Sequence, residues 1–250
     1  MNYNYFDKID TEEKAYWLGF LFADGNVSRD SYIRKNGTIK NGNYKIEISL
    51  KSEDIEHLEK FSKAIDYNKP IKVSKASFRK ERCRLFFNNK HMWTVLNSYG
   101  CVPNKSLKLT FPNINIFNNK WLIYSFIRGY VDGDGCIGNC NKDNTRMQIR
   151  ILGTEQFLTE LQNQIPLESD NKLHKNTNIF ELCFNDRRGA YVTSILYKGA
   201  SIFLDRKYKK YRDFCRLYKG LYRELQDKFG EDCEVNTEQI IDITKGSMTA

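Results

Sequence analysis

Histidine is scarce in this 250-residue chain, with His57, His91 and His174 its three copies, and that scarcity removes several chemistries together. Seven cysteines include one close pair, Cys136 and Cys140, spaced like half of a zinc site. No second Cys or His pair follows, which argues against a zinc finger and for ordinary packed or surface thiols. No Ser/Cys–His–Asp arrangement and no P-loop string is visible. The apolar runs are too short to span a bilayer and close on charged residues. An odd number of cysteines with no signal peptide ahead of them predicts reduced thiols in an intracellular protein of the cytoplasm, nucleoid, phage-infected cell or organelle. Acids are also short in number, 31 against 40 Lys and Arg, for a net charge of +9 and a pI near 9.1. The expected partner is a polyanion, nucleic acid before membrane.

What the chain does have is a repeat. Asp10 to Gly25, DTEEKAYWLGFLFADG, returns as NKWLIYSFIRGYVDGDG from Asn119 to Gly135. Each copy reads as an apolar helix with a glycine six residues before a terminal Gly that an Asp precedes: Gly19, Asp24, Gly25, and Gly129, Asp134, Gly135. The two aspartates lie close to half the chain apart, which means two related halves and not a solenoid of short units. Asp10 with Glu13 reads as a helix cap and its capping-box partner. One face of each helix carries small residues four apart, Ala15, Gly19, Ala23 in the first and Ser125, Gly129, Gly133 in the second. Such faces let two helix backbones approach closely.

If the two helices pack through these faces, Asp24 and Asp134 meet at their C-terminal ends. A helix C-terminus disfavours an acid, and two carboxylates about 5 Å apart repel by about 3 kcal/mol at an effective dielectric of about 20. A bound divalent cation relieves both penalties. Oxygen donors of this kind suit Mg²⁺, Mn²⁺ or Ca²⁺ and not zinc.

The segments between follow one order twice. Lys45 to Lys51 alternates strictly, with Ile46, Ile48 and Leu50 on one side and Lys45, Glu47, Ser49 and Lys51 on the other, the signature of a half-buried strand. A Gly/Asn-rich basic loop is expected before it at Arg34–Asn43, and a helix after it to Ile65. Strands are expected at Ile71–Ser74 and Arg82–Phe87, where Arg82 and Arg84 face away from Cys83, Leu85 and Phe87. A helix follows at His91–Tyr99, where His91 and Trp93 read as packing residues, and Val102–Pro112 reads as extended. In the second half, Arg146, Gln148 and Arg150 alternate with Met147, Ile149 and Ile151. A helix from Thr154 to Ile165, strands at Lys172–Lys175 and Ile179–Asn185, and a helix at Gly189–Tyr197 come next. A basic helix from Tyr208 to Phe229 closes the pattern. The expected domains are 1–112, a connection at 113–118, 119–230, and a polar tail at 231–250.

WLGFLFADG (17–25) and IRGYVDGDG (127–135) resemble the two motifs of a single-chain LAGLIDADG homing endonuclease. The resemblance covers nearly the whole chain. It implies an α+β fold of two pseudo-twofold-related αββαββα units, their antiparallel sheets forming a saddle over double-stranded DNA and the motif helices at the central seam. It implies site-specific, metal-dependent phosphodiester hydrolysis at a long asymmetric target, leaving short 3′ overhangs. The metal-binding acids map onto Asp24 and Asp134, with Gly25 and Gly135 beside them. Mg²⁺ is the expected ion, Mn²⁺ a substitute, and Ca²⁺ one that binds without supporting cleavage. The preceding acidic position is Phe22 in the first motif and Asp132 in the second, so Asp132 reads as structural. A basic residue near each scissile phosphate maps best onto Lys105 and Lys207, with Lys108, Arg206 and Lys209 as competitors. The outward residues Lys45, Glu47, Ser49, Lys51, Arg82, Arg84, Arg146, Gln148 and Arg150 become base and phosphate readers, Arg for guanine and Gln for adenine. Glu47 and Glu181 would accept from cytosine or sit in ion pairs. A monomer is expected, since one chain carries both half-sites. An RNA-binding intron maturase and a DNA-binding regulator are the alternatives, though retention of both motif acids favours an enzyme.

Overall fold

The computed structural model describes residues 1–76, 79–139, 141–142, 146–167 and 171–218. The expected tail at 231–250, residues 219–229 of the expected basic helix and Cys140 lie outside the described residues. The chain is α+β. Its order is α1 (Glu12–Ala23), β1 (Gly25–Ile33), β2 (Ile39–Lys51), α2 (Ile55–Ala64), β3 (Lys72–Ala76), β4 (Arg79–Asn88), α3 (Lys90–Ser98), then α4 (Lys120–Asp134), β5 (Cys136–Asn139), β6 (Met147–Gly153), α5 (Glu155–Asn163), β7 (His174–Asn176), β8 (Ile179–Asn185), α6 (Asp186–Tyr197) and α7 (Asp205–Leu217). The αββαββα pattern therefore occurs twice, with α7 added. Both sheets are antiparallel and four-stranded, ordered β1-β2-β4-β3 and β5-β6-β8-β7. Equivalent strands occupy equivalent places. Among the described residues no helix is long and apolar enough to cross a membrane.

The chain divides into two compact units, Met1–Asp134 with Ser201–Asp205, and Gly135–Ala200 with the segment from Arg206. Both motif helices fall in the first because α4 packs on α1. In the first unit, Ile46, Ile48, Leu50, Cys83 and Leu85 turn one sheet face inward beside Leu58 and Phe61 of α2 and Met92 and Leu96 of α3. In the second, Met147, Ile149, Ile151, Leu182 and Phe184 do the same with Phe157, Leu158 and Leu161 of α5. Period-two burial in the strands and a stripe on each helix are what bury these faces.

Local departures from the sequence reading have local causes. Thr11, not Asp10, caps α1, accepting from the Lys14 amide, while Asp10 pairs with Lys14 at 2.7 Å. β2 starts at Ile39, so much of the loop expected at Arg34–Asn43 is strand. Gly37 at φ +79° turns the chain tightly enough for Ile33 to pair with Ile39. The extended stretch expected at 102–112 contains a 3-10 turn at Lys105–Leu107, entered through Asn104 at φ +54°, a left-handed conformation asparagine tolerates. The helix expected from Tyr208 begins at Asp205. His91 is exposed beside Asp7 at 2.7 Å, whereas Trp93 packs edge-on against Tyr44.

Candidate functional site

The motif glycines bring two backbones together. A Cβ on Gly19 would lie 1.9 Å from the Phe126 carbonyl oxygen, and one on Gly129 would lie 2.0 Å from that of Tyr16. These reciprocal contacts leave no room for a methyl group. Farther along, a Cβ on Gly133 would meet the Ala23 methyl at 2.3 Å and the Asp24 nitrogen at 3.3 Å. Ala15 and Ser125 are buried as well, the Ser125 hydroxyl donating to the Trp121 carbonyl. The last turns of α1 and α4 therefore lie side by side, and Asp24 and Asp134 leave them with exposed side chains.

Each aspartate is followed by a glycine whose carbonyl receives a lysine. Lys105 Nζ donates to the Gly25 carbonyl at 2.5 Å, and Lys207 Nζ to the Gly135 carbonyl at 2.6 Å. The lysines arrive by different routes. Lys105 projects from the 3-10 turn after Asn104. Lys207 stands in the first turn of α7 and is 5% exposed, on the buried stripe with Tyr211 and Phe214. An ammonium is unfavourable in the first turn of a helix, and the carbonyl partner offsets that cost. Lys108 and Lys209 are exposed. Buried Tyr130 is held neutral, its hydroxyl pKa pushed far up by burial and then by the nearby charge of Asp134.

Could these residues hold a divalent cation? The donors are hard oxygens, two carboxylates at adjacent helix C-termini where a cation is favoured. A carbonyl has two lone pairs, so Gly25, in the same unit as both acids, could serve lysine and metal together. The donor set fits a hard divalent cation. Among the described residues no group of three or more His, Cys, Asp and Glu side chains gathers as a metal site, here or elsewhere, so side chains alone supply two donors at this place.

A buried polar network braces this helix pair; the sequence marked Asp132 of it, as structural, but not Arg128, Glu12, Tyr16 or His57. Asp132 Oδ2 accepts from the Tyr16 hydroxyl at 2.7 Å and from the Leu204 amide at 2.8 Å. Tyr16 also meets His57 Nε2 at 3.0 Å. Arg128, 3% exposed, donates to the Ile202 carbonyl and to Glu12, which also accepts from the Ser201 amide and hydroxyl. The available signal was an Arg and an Asp inside an otherwise apolar run.

The outer sheet faces carry the expected polar residues. In the first sheet Glu47 lies between Lys45 and Arg84, an ion-pair arrangement, with Arg84 at 3.4 Å. Arg82 donates to the Ser49 hydroxyl and carbonyl. Phe86 lies beneath Arg84 and Lys72, at 4.6 and 4.9 Å from its ring, and Lys51 is exposed. In the second sheet Gln148 donates to Asn185 at 2.7 Å, and Arg150 lies 3.9 Å from Glu181. Arg146 precedes the strand and is exposed. At the positions of Arg84 and Phe86 the second sheet has Glu181 and Cys183. The Cys183 thiol, pushed up to about 12 by burial and by Glu181, stays protonated and donates to that carboxylate. The two faces are chemically unequal.

No family model and no curated protein matches this sequence. Solved structures do. The LAGLIDADG homing endonuclease I-GzeII in complex with its DNA target has a TM-score of 0.57 at 12% identity, over 94% of this chain and 98% of that one. The LAGLIDADG meganuclease I-AabMI bound to uncleaved DNA gives 0.51 at 14% identity, over 84% and 91%. The I-LtrWI LAGLIDADG homing endonuclease bound to target DNA gives 0.51 at 13%, over 87% and 96%. At these identities the likeness is one of fold.

Proposed function

We propose that this chain, which has the fold of the LAGLIDADG homing endonucleases, is itself a site-specific double-strand DNA endonuclease. It hydrolyses phosphodiesters at a long asymmetric target, leaves short 3′ overhangs, and initiates mobility of its own intron or coding sequence. One observation carries the reading: two acids leave adjacent helix ends, and each is followed by a glycine carbonyl holding a lysine. Catalysis at a phosphodiester needs negative charge to hold metal and positive charge to meet the phosphate. Both are present in each half.

In this reading Asp24 and Asp134 hold Mg²⁺ with the Gly25 and Gly135 carbonyls alongside. Mn²⁺ substitutes, and Ca²⁺ binds without supporting cleavage. A divalent ion held there would supply polarisation of the scissile phosphate and an activated water. Lys105 and Lys207 stabilise charge at the two phosphates, one for each strand. Lys45, Glu47, Ser49, Lys51, Arg82 and Arg84 read one half-site, and Arg146, Gln148 and Arg150 the other. Because the two faces differ residue by residue, the target is asymmetric, and because both lie in one chain the enzyme works as a monomer. The sequence halves 1–112 and 119–230 then serve one half-site each.

The test is incubation of the chain with a plasmid pool of randomised targets and Mg²⁺. Double-strand cuts concentrated on one long sequence support the reading. Binding without cutting under every divalent ion contradicts it and favours a regulator, and preferential binding of structured RNA favours a maturase.

A further inference from the structure

The two halves differ at one motif position. Phe22 stands two residues before Asp24, and Asp132 two residues before Asp134. Phe22 packs edge-on against Phe126 at 5.1 Å. Asp132 is fully buried and accepts hydrogen bonds from Tyr16 and from the Leu204 amide. A carboxylate survives burial only when such donors compensate its lost hydration. Gly135 lies three residues beyond Asp132, and Lys207 three residues beyond Leu204. Lys207 in turn donates to the Gly135 carbonyl. The same two chain segments are thus tied twice, at a matching offset. In the first half the arm bearing Lys105 is shaped by the Asn104 turn, and Phe22 has no acceptor to offer it.

We propose that Asp132 is a positioning residue for one of the two basic arms: by clamping Leu204 it seats Lys207 at the second motif glycine and so governs cleavage of one DNA strand. Its effect on cleavage rests on the nuclease reading above; the clamp does not. Loss of the carboxylate releases the Leu204 amide and the start of α7, while Lys105 keeps its own turn. The clamp makes the two strands unequal in their dependence on a single side chain.

Asp132→Ala and Asp132→Asn are compared with the unchanged chain by two readouts. In lysine acylation followed by mass spectrometry, Asp132→Ala exposes Lys207 to labelling about tenfold faster, Lys105 changes less than about twofold, and Asp132→Asn, which keeps an oxygen acceptor, stays near the unchanged rate. In strand-resolved nicking of an enriched supercoiled target, Asp132→Ala slows one strand about tenfold more than the other, so nicked circles accumulate. Equal slowing of both strands, or unchanged Lys207 labelling in a folded Asp132→Ala chain, overturns the proposal. Should that variant not fold, amide exchange in the unchanged chain decides: protection of the Leu204 N–H at the level of buried strand amides supports the clamp, and loop-like exchange overturns it. A chain that cuts no DNA but shows the Lys207 response keeps the clamp and removes the nuclease reading.

Discussion

Lys105 and Lys207 contact equivalent carbonyls from unlike local structures, a 3-10 turn and a helix start. Convergence on one contact suggests selection for the ammonium and not for the scaffold that delivers it. Lys105→Met and Lys207→Met should each slow cleavage by about 10²-fold, while gel-shift affinity for the target falls less than about tenfold. Equal losses in both quantities would reduce the lysines to phosphate contacts. Burial also has a cost for Cys101, whose thiol is pushed up to about 12 from 9.0. The folded state favours the neutral thiol, so this contribution to stability is complete below pH 9 and is lost as pH rises toward 12. Urea midpoints on either side of pH 9 should fall less steeply for Cys101→Ala than for the unchanged chain. The placement of Asp24 and Asp134 at helix ends was legible because they recur with their glycines. Arg128, Glu12 and Ser201 were not, because partners so distant in sequence leave no local pattern.

Among the elements, the helix pair α1–α4 is the most constrained. Gly19→Ala and Gly129→Ala each press a methyl group into a carbonyl of the other helix. Either should cost about 3 kcal/mol or more, read as a lowered urea midpoint. A stable, fully folded Gly19→Ala chain would refute the close approach. The strands were the most legible elements, since Lys45–Lys51 and Ile179–Asn185 alternate cleanly and β8 spans that second segment in full. Ends were harder to read. Thr11 prevails over Asp10 as the cap because Asp10 is engaged by Lys14, a choice between two good capping residues that propensity does not make. The start of α7 was hidden because buried Lys207 takes a stripe position that periodicity reserves for apolar residues.

Over the whole molecule, a charge of +9 makes the proposed interaction with DNA strongly salt-dependent. With about 6–10 phosphate contacts, affinity should drop about 10³-fold or more between roughly 50 and 200 mM salt. Titration of log affinity against log salt checks this, and a flat line would remove DNA as the partner. The repeat made the doubled fold readable, because two identically ordered sheets follow from two similarly patterned halves. The target sequence is not readable in the same way, since the outer faces hold Arg, Lys, Gln and Glu in mutual hydrogen bonds and ion pairs that DNA would have to rearrange. The proposed metal site requires that Asp24 and Asp134 act together at the helix ends. Its most direct test is Mg²⁺-dependent cleavage of the enriched target by Asp24→Asn and Asp134→Asn. Each substitution should lower double-strand cleavage by about 10³-fold or more with DNA binding retained. Metal-dependent double-strand cutting that survives both substitutions would contradict it.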